Sequence, residues 1–151
     1  EYYRLVVDYQ QAYEANINKI KITKGIYETI KMLHSLEIKQ IIFSSCNKLT
    51  IEHQLPLYND LASYIDEIVA QDNDLAVGKE SLALSWGEKT KISWKDVLVI
   101  GDTYYDQEVA NNLGCDCILI SSGHQYLKKQ ENLHIYDNVF EIFDIIKRRC
   151  C

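Results

Sequence analysis

Five residues in this chain are of a type and spacing to handle a phosphoryl group. Asp102 and Asp106 lie four apart in Gly101-Asp102-Thr103-Tyr104-Tyr105-Asp106, directly after the apolar run Val97-Leu98-Val99-Ile100. Two carboxylates across a tight turn are hard oxygen ligands, the kind that Mg²⁺ takes together with water and a substrate phosphate. Lys79 follows Gly78 at the start of a helical stretch, and its cation suits a phosphoryl group or a carboxylate. Ser44 and Ser45 end a second apolar run, Ile41-Ile42-Phe43, where hydroxyls and successive backbone N–H groups suit a phosphate oxygen. Each feature alone has a plainer explanation. The acidic turn serves as a strand-to-helix connection with Asp106 as N-cap, the serines cap a helix, and the lysine is a surface charge. The specific signal is their order, each after a strand or opening a helix.

The segments between them must form elements that bring these residues to one place. Tyr2, Val6, Tyr9, Tyr13 and Ile17 recur at intervals of four, three, four and four, one apolar stripe of an opening helix. After Gly25, Ile26, Ile30 and Leu33 mark a second amphipathic helix ending near Leu36. Residues Ile38 to Ser44 have the β-branched and aromatic character of a strand buried on both faces of a parallel sheet. A helix starts near Lys48, capped by the polar residues Ser44 to Asn47, and a further helical piece spans Leu57 to Tyr64. A short strand is expected at Glu67 to Ala70, a polar loop at Gln71 to Asp74, and a helix from Lys79 to about Lys89. Then come the strand at Val97 to Ile100, a helix from Asp106 to Leu113 stopped by Gly114, and a strand at Cys117 to Ile120. Val139, Ile142, Phe143 and Ile146 line a last helix. Strands alternating with helices predict a parallel, doubly wound α/β sheet with right-handed crossovers. In such a sheet ligands bind beyond the carboxyl ends of the strands.

Composition narrows the partners. With 151 residues and 47% hydrophobic content the chain can bury one sizeable core. A formal net charge of −6 argues against a nucleic-acid surface, which requires a basic patch. No apolar run approaches membrane-spanning length and the N-terminus lacks a secretory pattern, so a cytoplasmic protein is expected with no membrane partner. The five cysteines, Cys46, Cys115, Cys117, Cys150 and Cys151, form no CxxC pair, and the expectation is free thiols.

The order serine, lysine, GDxxxD resembles motifs II, III and IV of the haloacid dehalogenase superfamily, over roughly residues 20 to 150. The stretch DVLVIGDTYYDQEVANNLGCDCILISSGHQ, Asp96 to Gln125, is similar to phosphoglycolate-phosphatase-type members. The resemblance implies a three-layer Rossmann-like core in residues 21–151, with residues 1–20 the last helix of a helical cap. It implies hydrolysis of a small phosphorylated metabolite with Mg²⁺ through an aspartyl-phosphate. Ser44 would bind the transferring phosphoryl group, and Lys79 would stabilise charge on the nucleophile and phosphate. Asp102 would ligate the metal directly, with Asp106 ligating through water or holding Lys79 and the metal shell.

Two features depart from the pattern. Glu80 follows the lysine where many relatives have proline. No DxD motif with the nucleophile is present: Asp8 belongs to a helical stripe, and Asp72 with Asp74 sits in a loop. The chain opens at Glu1 in a helical pattern, and the expectation is a longer natural protein, or another chain, supplying a strand between those ending at Ser44 and Asp102. A phosphomutase of the same family, or a non-catalytic binding or regulatory protein of this fold, are the alternatives. His124 follows the last strand, where a loop histidine more often has no role than a place at the site rim. Tyr104 and Tyr105 either touch substrate or cover the turn.

Overall fold

β4, residues Asp116–Ile120, explains how this chain forms layers. Successive side chains of a strand point to opposite faces. Ile118 and Ile120 pack with Leu33, Val139, Ile142 and Ile146 on one side. Cys117 and Leu119 pack with Ala110, Cys115, Leu127 and Ile135 on the other. A continuous apolar run is therefore buried on both faces, the signature of a parallel strand sandwiched by helices. Helices α2 (Ile26–Ser35) and α6 (Val139–Cys150) cover the first face, and α5 (Tyr104–Leu113) the second.

The computed structural model describes residues 2–72, 78–123 and 125–150. Its other elements are α1 (Tyr2–Ala15), β1 (Ile41–Asn47), α3 (Lys48–Gln54), β2 (Glu67–Gln71), α4 (Lys79–Thr90), β3 (Leu98–Gly101) and β5 (Ile135–Tyr136). All strand pairings are parallel, but they fall into two sheets, β1-β2 and β3-β4-β5. Among the described residues β1 and β3 thus each end a sheet. Their apolar residues are correspondingly less covered than those of β4: Ile41, Ile42 and Phe43 are only partly buried, and Ile100 is 38% exposed. The α/β class and the partial Rossmann-like core agree with the sequence reading.

Several boundaries differ from it, each for a local reason. β1 starts at Ile41 and continues past Ser44 to Asn47, with an irregular register between Phe43 and Asn47. The cap of α3 falls within the expected Ser44 to Asn47, at Asn47, whose side chain accepts the Leu49 N–H at 2.9 Å. The segment expected to be helical from Leu57 to Tyr64 forms two 3₁₀ turns, Leu55–Leu57 and Leu61–Tyr64. Helix α5 begins two residues before Asp106, because Thr103 is its N-cap and Asp106 completes a capping box from the third helical position. β5 was not anticipated. The loop at Asp72 and Asp74 falls mostly outside the described residues, as does His124.

Two polar ties fix the first half of the core. Gln40 is 8% exposed, and its amide donates to Ile30 O at 2.8 Å and Tyr64 O at 3.0 Å. Its backbone N–H donates to the Asp66 carboxylate at 2.7 Å, and the Asp66 N–H returns a bond to Gln40 O at 2.9 Å. Asp60 accepts from the hydroxyls of Tyr27 and Tyr64, binding the second 3₁₀ turn to α2. Phe43 of β1 meets Trp86 of α4 edge to face at 5.5 Å, which seats α4 on the first sheet. Truncating Gln40 to alanine removes a buried amide and its bonds to two partly buried carbonyls, and we expect a loss of about 1–3 kcal/mol. Equilibrium urea unfolding, read as a lower midpoint at unchanged slope, checks it.

Candidate active site

The cluster at the end of β3 is organised by one buried carboxylate. Asp106 is 5% exposed. Its Oδ1 accepts a 2.6 Å bond from Lys79 Nζ, and the pair is an ion pair. Its Oδ2 accepts from Thr103 Oγ1 at 2.7 Å, Thr103 N–H at 3.1 Å and Asp102 N–H at 3.2 Å. Oδ2 thus carries three donors, and Oδ1 the ammonium. Burial by itself raises the Asp106 pKa; the Lys79 and Thr103 hydrogen bonds, the Lys79 charge and the Asp102 N–H outweigh it, holding the group below its ordinary value.

The backbone makes this possible by close approach. A Cβ at Gly101 would overlap the Asp106 side chain, and one at Gly123, in the turn after β4, would overlap the carboxyl end of Asp102. Glycine at both positions lets the two carboxylates press against neighbouring main chain. Tyr104 ties the same turn to the loop beyond β4: its N–H donates to Gln125 Oε1 at 2.7 Å, and its hydroxyl accepts the Lys128 N–H at 2.7 Å. Beneath the turn, burial first, then the charges of Asp106 and Cys115, push the Cys117 thiol up to about 12. Cys115 and Cys117 are buried free thiols, and Cys46 an exposed one, as the spacing predicted.

The sequence-predicted residues fall into two groups. Lys79, Asp102 and Asp106 are joined by the bonds above, although Lys79 lies on α4 and the aspartates on the β3–α5 turn. Ser44 and Ser45 stand on β1, in the other sheet. Ser44 Oγ accepts the Cys46 N–H at 3.1 Å, and no hydrogen bond among the described residues links it to the cluster. Helix α4 packs on β1, β2 and α5, and so bridges the two groups. Two concavities of about 420 and 430 Å³ lie elsewhere, and none of these five residues lines either.

The donor set bears on a metal. The Lys79 ammonium against Oδ1 and three donors on Oδ2 disfavour Asp106 as a direct ligand, so Asp102 would be the carboxylate to hold a Mg²⁺, which needs only one or two. Among the described residues no cluster of three or more His, Cys, Asp or Glu has metal-binding geometry. The fit is therefore to a Mg²⁺ that draws further ligands from water, phosphate or groups outside these residues. Thr103, Gly123 and Gln125 support the site and were not singled out from sequence; the Thr-x-x-Asp spacing of a capping box was the available signal for Thr103.

The depressed Asp106 pKa sets a sign. A carboxyl lowered on folding adds stability that is complete above its unfolded value, near 3.8, and disappears as pH falls below that through the folded value. Asp106→Asn should cost about 2–4 kcal/mol at neutral pH by breaking a largely buried pair. The gap between variant and parent should narrow as pH falls below the ordinary carboxylate value, as thermal unfolding over an acid pH series reads out.

A family described as haloacid dehalogenase-like hydrolase matches residues 3–120. No curated protein sequence matches significantly. Among solved structures, a predicted phosphatase from Clostridium acetobutylicum superposes with a TM-score of 0.80 at 23% identity, covering 93% of this chain and 67% of its own. A HAD phosphatase from Thermococcus onnurineus gives 0.72 at 19%, covering 91% and 64%. A predicted phosphoglycolate phosphatase from Haemophilus somnus gives 0.76 at 18%, covering 89% and 61%. The chain thus spans about two thirds of the length of these neighbours, and at such identities they establish the fold. The match over most of its length establishes more: this chain belongs to the haloacid dehalogenase-like hydrolases.

Proposed function

We propose that the protein is a Mg²⁺-dependent phosphatase of small phosphorylated metabolites, and that this chain supplies the electrostatics while the nucleophilic aspartate lies outside it. The observation that carries the reading is the bonded cluster of Lys79, Asp102 and Asp106 at the carboxyl end of β3, where doubly wound sheets bind ligands. Family membership supports it.

In this reading a carboxylate oxygen attacks phosphorus and the P–O ester bond breaks, the leaving oxygen taking a proton. Water then attacks the aspartyl-phosphate, releasing inorganic phosphate and restoring the carboxylate. Lys79, fixed by Asp106, neutralises charge on the phosphoryl oxygens, and the Ser44 hydroxyl donates to one of them. Asp102 would hold a Mg²⁺ ion, which when bound would supply Lewis-acid stabilisation of phosphoryl charge. Asp106 does not ligate directly; it positions the ammonium and the turn.

Two of the four sheet edges suit an outside strand. β1 and β3 are partly exposed apolar strands, each at an edge, and unpaired backbone along such edges seeks a partner. One parallel strand between them, from a further segment or a second chain, would complete the sheet and bring a carboxylate to the cluster. Residues 1–20 then form the end of a cap, in keeping with the exposed Leu5 and Tyr9 on α1, 63% and 70% accessible, and residues 21–151 form the core. A phosphomutase is the second reading, favoured by a Thermotoga maritima neighbour that carries a β-phosphoglucomutase designation. Retention of the phosphoryl group on an isomeric product, in place of free phosphate, distinguishes it.

Asp102→Asn in the natural protein, expressed with every residue its gene encodes, should abolish Mg²⁺-dependent release of phosphate from an aryl phosphate. Unchanged turnover would remove the metal assignment.

A further inference from the structure

The two tyrosines of the turn have different environments, and the difference assigns one of them a task. The Tyr104 hydroxyl is spent on Lys128, accepting its N–H and lying 3.4 Å from its carbonyl. Tyr105 is 42% exposed, and among the described residues its hydroxyl has no hydrogen-bond partner. That hydroxyl lies against Gly78, 2.8 Å from where a Cβ on that residue would be. Gly78 is the N-cap residue of α4 and immediately precedes Lys79, and Tyr105 immediately precedes Asp106, the partner of Lys79. The Lys79–Asp106 pair and the Tyr105–Gly78 contact are therefore adjacent rungs between the first turns of α4 and α5, one charged and bonded, the other ending in an unused donor.

The unused Tyr105 O–H thus lies against the residue that leads into Lys79, where it can donate to an acceptor that the ammonium also attracts. We propose that Tyr105 is a substrate-contacting residue, its hydroxyl donating to an oxygen of the bound phosphoryl group next to Lys79. This rests on the phosphatase reading above and adds a specific ligand contact to it.

Inorganic phosphate is the probe, its affinity for the natural protein measured by calorimetry alongside hydrolysis of an aryl phosphate. Tyr105→Phe keeps the ring and removes only the donor. It should raise the dissociation constant for phosphate about threefold to tenfold, with the unfolding temperature of the ligand-free protein unchanged. Gly78→Ala in the Tyr105→Phe background should weaken binding no further, because the hydroxyl it would displace is gone. If the parent binds and hydrolyses normally while Tyr105→Phe leaves phosphate affinity unaltered, the tyrosine assignment alone is overturned. If the parent neither binds phosphate nor hydrolyses the ester, the phosphatase reading falls and this contact with it.

Discussion

A carboxylate taken out of water must be surrounded by donors or it destabilises the fold, and Asp106 meets that requirement with four of them. The arrangement of the whole cluster follows. To deliver the Asp102 and Thr103 N–H groups to one oxygen, the chain must turn tightly at the end of β3, which in turn demands glycine at position 101. To deliver an ammonium to the other oxygen, α4 must lie with its first residue against the first turn of α5. Lys79 is thereby fixed within a site it reaches from a different part of the fold.

That cluster sits beside a discontinuity. Parallel strands arranged by right-handed crossovers normally lie with their neighbours on both sides, and β4 does, buried on both faces between β3 and β5. β1 and β3 each lack one neighbour among the described residues, and their apolar side chains are left partly open. Ser44 and Ser45 stand on β1 of one sheet, whereas Asp102 and Asp106 follow β3 of the other and Lys79 opens α4. Helix α4 spans the division, packing on β1 through Trp86 and Phe43 while its first residue joins the acidic turn.

Much of this was legible in the residues because continuous apolar runs and their terminators are local signals. Val97 to Ile100 ending at Gly101-Asp102, and the helix halted by Gly114, come from periodicity and glycine alone. The two-residue β5 does not, since Ile135 and Tyr136 become a strand only by pairing with Leu119 and Ile120. Ser44 to Asn47 was legible as a capping stretch, and the residue within it that serves, Asn47, is set by where the helix starts. Asp106 illustrates the limit most clearly. Residue type made it a metal ligand, a cap or a partner for Lys79, and the choice depends on how many donors surround it, a property of packing between α4, the turn and α5.

The central claim is that the acidic turn and Lys79 form half of a phosphoryl-transfer site whose other half enters between β1 and β3. A crystal structure of the natural protein with Mg²⁺ and a phosphate mimic tests it most directly. The account predicts a parallel strand hydrogen-bonded to both β1 and β3, an aspartate at its carboxyl end, and the mimic held between that aspartate, Lys79 and Asp102. Direct pairing of β1 with β3, or a mimic bound away from Lys79, would contradict it.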